Sequence, residues 1–416
     1  MIGSGGREHA LAWKLKQSPL VDRIFCAPGN AGTALVGENV PIGPSDLAAL
    51  VRFAKGNAVD LTVVGPDDPL ALGVVDLFNA QGMRVFGPNK TAAKLESSKI
   101  FAKELMRRNK IPTATAQTFT DSNEALAYCE ELQFPIVIKA DGLALGKGVI
   151  IAPDFETANS TIDAMMNQRR FGEAGRRVVI EEFLRGTECS VHALVDGSNY
   201  ALLATARDHK RAYDGDRGPN TGGMGAFSPA DEWSQEIQSQ FDQQVMKPLL
   251  GGLRAEGINF RGLLFPGLMV VDGQARVLEF NCRFGDPETQ VILPRLKSDL
   301  VPLLNAAVDG KLAECNLEWD KRAAVAVVLA SGGYPDKYET GKWISGIDEA
   351  NAMQDVQVFH AGTRRVNNEV VTAGGRVLAV TALGTSVSAA RARAYDAVEK
   401  IHFDGCQFRR DIALHV

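Results

Sequence analysis

The sequence predicts a multidomain protein of mixed α/β and α+β class, and the pattern at its two ends carries this prediction. Over residues 1–97 short apolar strands alternate with helical stretches, and each strand ends at a glycine or proline turn. This rhythm is typical of a Rossmann-like domain with a parallel sheet. The last hundred residues open on the apolar segment Ala323–Ala330, continue with short strands and close on a helix near residues 387–401. They predict a small α+β C-terminal domain.

The composition is that of an ordinary folded chain and excludes several classes of protein. Lys and Arg number 45 against 50 Asp and Glu, a formal net charge of −5, which gives no support to nucleic-acid binding through a bulk basic surface. No apolar run approaches the roughly 18–20 residues that span a bilayer, and the N-terminus lacks the pattern of a signal peptide. The six Cys are scattered, without a C-x-x-C pair. We therefore expect a cytoplasmic protein with reduced thiols that binds neither nucleic acid nor membrane.

A glycine turn precedes the first predicted helix. Gly3–Arg7 stand where a first strand should lead into a helix, so backbone N–H groups and the helix N-terminus there could hold a phosphate. The pattern departs from the dinucleotide fingerprint, because Glu8 occupies a position that needs Gly or Ala. A nicotinamide cofactor is therefore disfavoured. A phosphate-bearing ligand and a purely structural turn remain as alternatives.

A lysine ends an apolar strand in the second motif. Lys139 lies near the end of the predicted strand Phe134–Ala140, where a charge has little reason to be unless an anion meets it. The loop that follows, Asp141–Gly148, contains three glycines and Lys147, and such a loop can close over a polyphosphate. It is not a Walker A loop, because the glycine spacing is one residue short and Gly148 replaces the hydroxyl residue. The alternative is a hairpin tip with solvated lysines.

The third motif places carboxylate and amide side chains on a late strand. If the segment is extended, Glu279, Asn281 and Arg283 share one face, while Phe280 and Cys282 point to the other. Carboxylate and amide oxygens suit Mg²⁺ (or Mn²⁺), which takes phosphates as further ligands. Arg283 beside them could pair with a carboxylate or a phosphate. A polar edge strand with a surface ion pair is the alternative.

The fourth motif is a charged segment followed by a dense run of glycines. Asp208–Arg211 precede Asp216–Gly225, in which four glycines fall within eight residues. The backbone of such a loop can approach a ligand closely, although glycine-dense loops also occur without one. His9 and His209 could act as acids or bases, but a lone His is more often structural, and neither is assigned a catalytic role.

In this order, the motifs resemble the ATP-grasp superfamily, and most closely its phosphoribosylamine–glycine ligase family of purine biosynthesis. The resemblance covers essentially the whole chain, and its most specific part is Asp208–Arg211 with Gly218–Gly225. The other segments that carry it are Gly3–Ala10, Pro28–Gly32, Gly65–Gly73, Lys139–Gly148, Arg261–Leu293 and Phe408–Ile412. The family normally has a longer first strand than Met1 and Ile2 allow.

The resemblance implies four structural parts. These are an N-terminal substrate domain (1–97), a large ATP-grasp lobe (98–115 and 186–318), a small ATP-grasp lobe (116–185) and a C-terminal domain (319–416). It also implies a monomer that uses ATP and Mg²⁺ or Mn²⁺ and acts on small molecules.

The implied reaction is an amide ligation. ATP would phosphorylate the carboxylate of glycine, and the amine of 5-phosphoribosylamine would attack the glycyl phosphate, which gives glycinamide ribonucleotide, ADP and phosphate. Phosphoryl transfer needs chiefly positioning and charge neutralisation, and the loop 142–148 would be a lid that excludes water. The rival readings are another ATP-grasp carboxylate–amine ligase, a carboxylase subunit, or a non-catalytic nucleotide-binding module.

The same resemblance implies roles for individual residues. The residues expected at the reacting groups are Arg283, Lys139 and Lys147, with Arg283 on the glycine carboxylate. Those expected around ATP are Lys99, Lys139, Gly142, Gly146, Lys147, Gly148, Glu181, Glu182, Phe183, Leu184 and Glu188. Those expected around the substrates are Gly5, Gly6, Arg7, Asn30, Asp67, Asp208, Lys210, Asn220, Thr221, Gly222, Arg283 and Asp286. Glu279 and Asn281 are the expected metal ligands.

Overall fold

The computed structural model describes residues 1–144 and 148–414. Its N-terminal part consists of β1 (Ile2–Gly3), α1 (Gly6–Lys16), β2 (Phe25–Pro28), α2 (Thr33–Val36), β3 (Glu38–Asn39), α3 (Leu47–Gly56), β4 (Thr62–Val63), α4 (Asp67–Leu72), α5 (Val74–Ala80), β5 (Val85–Phe86) and α6 (Lys94–Ser97). β1, β2 and β3 pair in parallel, as do β4 and β5, and a parallel bridge from Ile2 to Val64 connects the two sets. The predicted parallel sheet is confirmed, and its first strand is short.

The next segment forms an antiparallel sheet with helices. Its elements are α7 (Lys99–Arg108), β6 (Ala116–Phe119), α8 (Ser122–Glu130), β7 (Ile136–Ala140), β8 (Val149–Ala152), α9 (Phe155–Ile162) and β9 (Val178–Glu182). The strand order is β6-β9-β7-β8, with antiparallel pairing throughout. The sheet lies entirely within the predicted small lobe.

The predicted large lobe is built on a second antiparallel sheet. Its elements are β10 (Thr187–Ser190), β11 (Ala193–Asp196), β12 (Tyr200–Leu202), β13 (Arg207–Asp208), β14 (Arg211–Tyr213), β15 (Arg217–Asn220), β16 (Gly225–Ser228), α10 (Gln235–Phe241), α11 (Lys247–Ala255), β17 (Arg261–Val271), β18 (Gln274–Asn281), α12 (Thr289–Ile292) and α13 (Leu300–Asp309). β10, β17, β11 and β12 form the sheet in that order, and β18 pairs with β17. The helix expected near 232–255 is divided by a π-helical turn at Asp242–Met246.

The C-terminal part consists of β19 (Ala323–Ser331), α14 (Ile347–Asn351), β20 (Val356–His360), β21 (Thr363–Val366), β22 (Glu369–Thr372), β23 (Arg376–Gly384), α15 (Val387–Val398) and β24 (Cys406–Gln407). Its main sheet has the order β13-β16-β19-β23-β20, with β24 also paired to β19. β13 and β16 belong to the predicted large lobe, so this sheet crosses the boundary expected at 318/319. The domain boundaries remain a prediction.

One hydrophobic cluster joins these parts. Leu11 of α1, Phe284 just after β18 and Phe359 of β20 are all buried within it. Because the three come from the N-terminal, central and C-terminal parts, burial of their apolar surface favours a fixed arrangement of those parts around the strand-end loop at 283–286.

Candidate active site

Two lysines share one buried carboxylate between the predicted lobes. Lys139 of β7 and Lys103 of α7 place their Nζ atoms 3.0 and 3.1 Å from Oε2 of Glu181, which lies on β9. The Lys139 ammonium also donates to the carbonyl of Leu278 in β18, at 3.0 Å. Burial lowers the pKa of Lys103 more than the nearby Glu181 raises it. The Lys139 side chain lies near the strand end, as the sequence predicts, but within an ion cluster that the sequence did not indicate.

The first turn of α7 is fixed against the loop that follows β7. The Ser98 hydroxyl caps the helix by accepting from the Phe101 N–H at 3.2 Å, and it donates to Oδ1 of Asp141 at 3.0 Å. The Lys99 ammonium donates to the carbonyl of Gly142 at 3.3 Å. Lys99 and Gly142 are thus brought together as predicted ATP-binding residues should be. Gly148 lies at the far side of this loop, whereas Gly146 and Lys147 fall outside the described residues.

The end of β9 and the two residues after it lead from one antiparallel sheet to the other. Glu182, Phe183 and Leu184 follow Glu181 directly, and Leu184 is buried against Met269. Oε1 of Glu182 accepts from the Thr115 backbone N–H at 2.8 Å. This connection between the sheets is where the resemblance puts the adenine edge, and that assignment remains a prediction.

The predicted metal ligands lie at the end of β18. Glu279 and Asn281 are partly buried and two residues apart on the strand, whereas Phe280 between them is buried. Burial alone would raise the pKa of Glu279, but the cations Lys210, Lys99 and others nearby hold that pKa below its usual value. Among the described residues no hydrogen bond or ion pair occupies the Glu279 carboxylate. An ionised, open carboxylate beside an amide oxygen fits Mg²⁺, which binds few protein ligands and completes its shell with phosphate and water.

Arg283 lies just beyond this strand. β18 ends at Asn281, so the strand is two residues shorter than the predicted extended segment, but the predicted alternation continues beyond it: Cys282 and Phe284 are buried, and Arg283 between them is partly buried. Arg283 nevertheless stays beside Asn281, to whose Oδ1 it donates at 3.2 Å. Its guanidinium also lies 3.2 Å from a carboxylate oxygen of Glu96. Burial alone would lower the pKa of Arg283, but the carboxylates of Glu96 and of nearby acidic residues outweigh burial, so the pKa is raised above its usual value.

A group of carboxylates surrounds Lys210. Its ammonium lies 2.5 Å from Oε2 of Glu188, the residue expected at the ribose. Burial favours the neutral amine form, but Glu188, Asp208 and Glu279 outweigh the effect of burial and raise the pKa of Lys210 well above its usual value. Burial, together with Glu288 and Glu188, raises the pKa of Asp208 to about 7 despite the opposing Lys210. The site therefore contains a carboxyl group able to exchange a proton near neutral pH.

The glycine-rich segment Asp216–Gly225 is held by contacts with residues from other segments of the chain. Thr221 donates from its hydroxyl to the carbonyl of Lys210 at 2.8 Å, and the Gly222 N–H donates to the Tyr334 hydroxyl at 3.1 Å. Arg376 of β23 donates to the carbonyls of Gly222 and Asp286, at 2.5 and 2.8 Å.

The same guanidinium lies 3.3 Å from the Asp286 carboxylate and, despite the cost of burial, holds the pKa of Asp286 down. Asn220 ends β15 nearby, paired with Arg211. Four predicted substrate residues, Asn220, Thr221, Gly222 and Asp286, are thereby brought into one region.

The N-terminal turn meets this region, but its polar groups are partly occupied. The Gly5 N–H donates to one Glu8 carboxylate oxygen and Arg7 pairs with the other, both at 2.5 Å. Arg7 also donates to the carbonyl of Phe284 at 3.1 Å, which joins the turn to the Arg283 loop. The Asn30 amide donates to the carbonyls of Ser4 and His360, each at 2.8 Å.

Asn30 is therefore a residue that holds loops together through its side chain. Gly6 begins α1, and Asp67 begins α4 on the adjoining edge of the sheet. Asp67 contributes to the electrostatic field at Arg283. The roles predicted for these residues remain predictions.

Sequence reasoning missed four charged residues of the site: Lys103, Glu96, Glu288 and Arg376. Only Lys103 carried a local signal, because it lies four residues after Lys99 and so on the same face of the helix. The others act through partners that are distant in the chain.

No helix in residues 1–144 and 148–414 is long and apolar enough to cross a membrane. Over the same ranges, no group of three or more His, Cys, Asp and Glu side chains is arranged to hold a metal. The candidate metal ligands are a carboxylate and an amide, which do not make up such a group.

Known proteins match nearly the whole chain. Models of the phosphoribosylglycinamide synthetase N domain, ATP-grasp (A) domain and C domain match residues 1–96, 97–289 and 324–415. A phosphoribosylamine–glycine ligase of Allochromatium vinosum is 53% identical over 415 residues, which are 99% of this chain and 97% of that protein. The crystal structure of a phosphoribosylamine–glycine ligase from Thermotoga maritima has a TM-score of 0.86 and 37% identity, and covers 99% of this chain and 98% of that one.

A more distant similarity concerns the fold alone. The biotin carboxylase domain of the 2-oxoglutarate carboxylase from Hydrogenobacter thermophilus has a TM-score of 0.76 at 15% identity, covering 98% of this chain and 90% of that one. The family models and the full-length relative, in contrast, agree with the order of motifs along the whole sequence. The chain belongs to the phosphoribosylamine–glycine ligase family, with the ATP-grasp fold.

Proposed function

We propose that this enzyme joins glycine to 5-phosphoribosylamine at the expense of ATP, giving glycinamide ribonucleotide, ADP and phosphate. The observation that supports this most strongly is a convergence of charge. The cations Lys99 and, from the other predicted lobe, Lys139 act on the open carboxylate of Glu279, while the N-terminal turn meets the Arg283 loop through Arg7. A site for polyphosphate and metal thus adjoins a second site for small anionic substrates.

In this proposal the nucleotide lies between the two antiparallel sheets. Lys99 and Lys139 neutralise the phosphates, together with Lys147 and the glycine loop 142–148, which closes over them. Residues Glu181 to Leu184 take the adenine edge, and Glu188 takes the ribose hydroxyls. Because phosphoryl transfer is largely a matter of positioning and charge, these groups need form no covalent bond with the substrate.

Glu279 and Asn281 would hold a divalent metal, for which we propose Mg²⁺ or Mn²⁺. A bound metal supplies positive charge to the transferring phosphoryl group and fixes the phosphate oxygens. The residues themselves contribute the oxygen donors, and the cations around Glu279 keep its carboxylate ionised and ready to bind.

The substrate side performs the amide formation. Arg283 would bind the glycine carboxylate and orient the oxygen that attacks the γ-phosphorus of ATP. The amine nitrogen of phosphoribosylamine then bonds to the carbonyl carbon of glycyl phosphate, the carbon–oxygen bond to phosphate breaks, and the amine releases one proton. Gly5, Gly6, Arg7, Asn30 and Asp67 would line the phosphoribosylamine region, with Asp208, Lys210, Asn220, Thr221, Gly222 and Asp286 opposite them.

The compartment follows from the cysteines. All six are free thiols in the structure. Because free thiols persist in a reducing environment, we place the activity in the cytoplasm.

The test is formation of ADP from ATP in the presence of Mg²⁺, glycine and phosphoribosylamine, which is made in the assay from ribose 5-phosphate and ammonia. We expect turnover that requires all three components. Activity with bicarbonate in place of glycine would favour the carboxylase alternative. Nucleotide binding without any glycine-dependent ADP release would favour a non-catalytic module.

A double variant tests the metal assignment in the same assay. Glu279→Ala with Asn281→Ala should abolish Mg-dependent turnover, whereas Gln274→Ala, at the exposed start of the same strand, should leave it unchanged. Unchanged turnover in the double variant would refute the assignment of these two ligands.

A further inference from the structure

We propose that Lys103 is a positioning residue of the nucleotide site, which shares the Glu181 carboxylate so that the Lys139 ammonium remains available to a nucleotide phosphate. The inference rests on the proposed function in one respect, because it takes Lys139 to be the group that meets the phosphate. It adds a residue that never touches the nucleotide itself.

The hydrogen bonds of Lys103 are fully used within the protein. An ammonium group has three N–H donors and no acceptor. Those of Lys103 point to Oε2 of Glu181 at 3.1 Å, to Oγ1 of Thr113 at 2.8 Å and to the carbonyl of Ala114 at 3.3 Å. Its side chain is 10% exposed. Lys103 therefore has no donor left for a ligand, and its effect must pass through its partners.

Lys139 differs in having one donor unaccounted for. Its ammonium contacts Oε2 of Glu181 and the carbonyl of Leu278, both at 3.0 Å, and has no third partner among the described residues. Glu181 is 2% exposed, and its Oε1 has no hydrogen-bond partner among the described residues. Within the described part of the chain, the cluster thus offers an N–H and an acceptor without partners, and both belong to residues predicted to contact ATP.

Charge explains why two lysines are needed. Two ammonium groups around one carboxylate leave a net charge of +1, and this excess is suited to an anion. Without Lys103, Glu181 and Lys139 would neutralise each other, and the Lys139 ammonium would be drawn towards both carboxylate oxygens. Burial strengthens this competition, because charges interact more strongly away from water.

Lys103 is also held in place by both sheets. Thr113, which accepts from its ammonium, donates in turn to the carbonyl of Val277 in β18 at 2.6 Å. Glu181 lies on β9 of the other sheet. Lys103 thereby fixes the Glu181 carboxylate relative to the strand that bears Glu279.

The experiment measures ADP affinity by titration calorimetry, with no glycine or phosphoribosylamine present. Lys103→Met keeps much of the apolar stem and removes the charge, and we expect the Kd for ADP to rise about tenfold or more, or about 1.4 kcal/mol at the lower bound. Arg107→Met removes a cation from an exposed position on the same helix and should change the Kd less than about twofold. Lys103→Gln, which retains hydrogen bonding, should weaken binding as Lys103→Met does and serves if the Met variant does not fold.

A double-mutant cycle separates positioning from a general effect of positive charge. In a Glu181→Gln background there is no carboxylate to share, so Lys103→Met should change the Kd less than about threefold. The same factor in both backgrounds would overturn the inference, as would folded Lys103 variants that bind ADP like the wild type. If the wild-type enzyme binds ADP but forms no ADP from ATP when glycine and phosphoribosylamine are added, the proposed function is refuted and this inference is left intact.

Discussion

Among the residues that the structure describes, three histidines are almost fully buried, and their burial should make the protein labile to acid. His9, His192 and His360 are 2, 0 and 2% exposed. Burial lowers the pKa of His9 and His192 to about 3 and that of His360 to about 4, with smaller contributions from nearby cations and from His360 itself acting on His9. The neutral form of His9 agrees with its Nδ1, which accepts from the His360 backbone N–H at 2.8 Å.

The direction in which pH changes the free energy of unfolding follows from the number of protons that the folded and unfolded states bind. Below pH ~6.5 an unfolded histidine takes up a proton, whereas these folded ones do so only near pH 3 to 4, so the unfolded state binds more protons in between. The free energy of unfolding therefore falls as the pH falls. Each histidine costs about 1.4 kcal/mol per pH unit, or roughly 2 kcal/mol between pH 7 and 5. The three together cost about 6 kcal/mol over that interval.

Asp208 acts in the opposite direction. Its folded pKa of about 7 lies above the unfolded value, so acidification stabilises the fold through this group, by at most about 2 kcal/mol from pH 7 to 5. Burial also raises the pKa of Glu96 and Glu288, which act in the same direction as Asp208, whereas burial lowers the pKa of His209 to about 4 and adds roughly 2 kcal/mol to the loss. The loss expected from the histidines is comparable with the lower end of the stability of a folded domain, about 5–15 kcal/mol.

The assay is urea unfolding followed by circular dichroism at pH 7, 6 and 5. We expect the midpoint to fall steeply below pH 6.5. His360→Asn should make the dependence shallower by about 1.4 kcal/mol per pH unit, whereas the same change at the exposed His402 serves as the control. A free energy of unfolding that stays level between pH 7 and 5, or an unaltered slope in His360→Asn, would refute the reasoning.

Three further substitutions have defined outcomes. Glu96→Gln removes the carboxylate that fixes Arg283, and we expect kcat/KM for glycine to fall about tenfold in steady-state assays, with KM for ATP within about twofold. Arg409→Met removes a buried guanidinium that pairs with two aspartates and should lower the free energy of unfolding by about 3 kcal/mol in urea titrations. Gly32→Ala would put a methyl carbon 2.3 Å from the His9 ring and should cost about 1–3 kcal/mol by the same measurement.

Gly32→Ala has a matched control, and each of the three changes has a result that would contradict it. Gly43→Ala adds a methyl group where no heavy atom lies within 4 Å and should be nearly neutral. Equal stabilities of the Gly32→Ala and Gly43→Ala variants would contradict the packing argument. A kcat/KM for glycine unchanged by Glu96→Gln would mean that Arg283 needs no fixed partner, and an unaltered urea midpoint in Arg409→Met would mean that its buried ion pairs add nothing.

Local pattern predicted much of the fold because burial is periodic along the chain. The strands expected at 134–140, 178–183 and 376–383 are found at Ile136–Ala140, Val178–Glu182 and Arg376–Gly384. The alternation of buried Phe280 with its polar neighbours was also predicted, since successive side chains on a strand face opposite ways. The strand itself ends at Asn281, but buried Cys282 and Phe284 continue the alternation.

The order of motifs alone determined the family, because it places lysine at a strand end, glycines in the next loop and paired oxygen ligands on a later strand. Tertiary structure decided which charges meet. Lys103 with Glu181, Glu96 with Arg283 and Arg376 with Asp286 are separated by roughly eighty residues or more. Such pairs form only when distant elements pack together, and sequence periodicity reports which face of an element is buried but not which partner covers it.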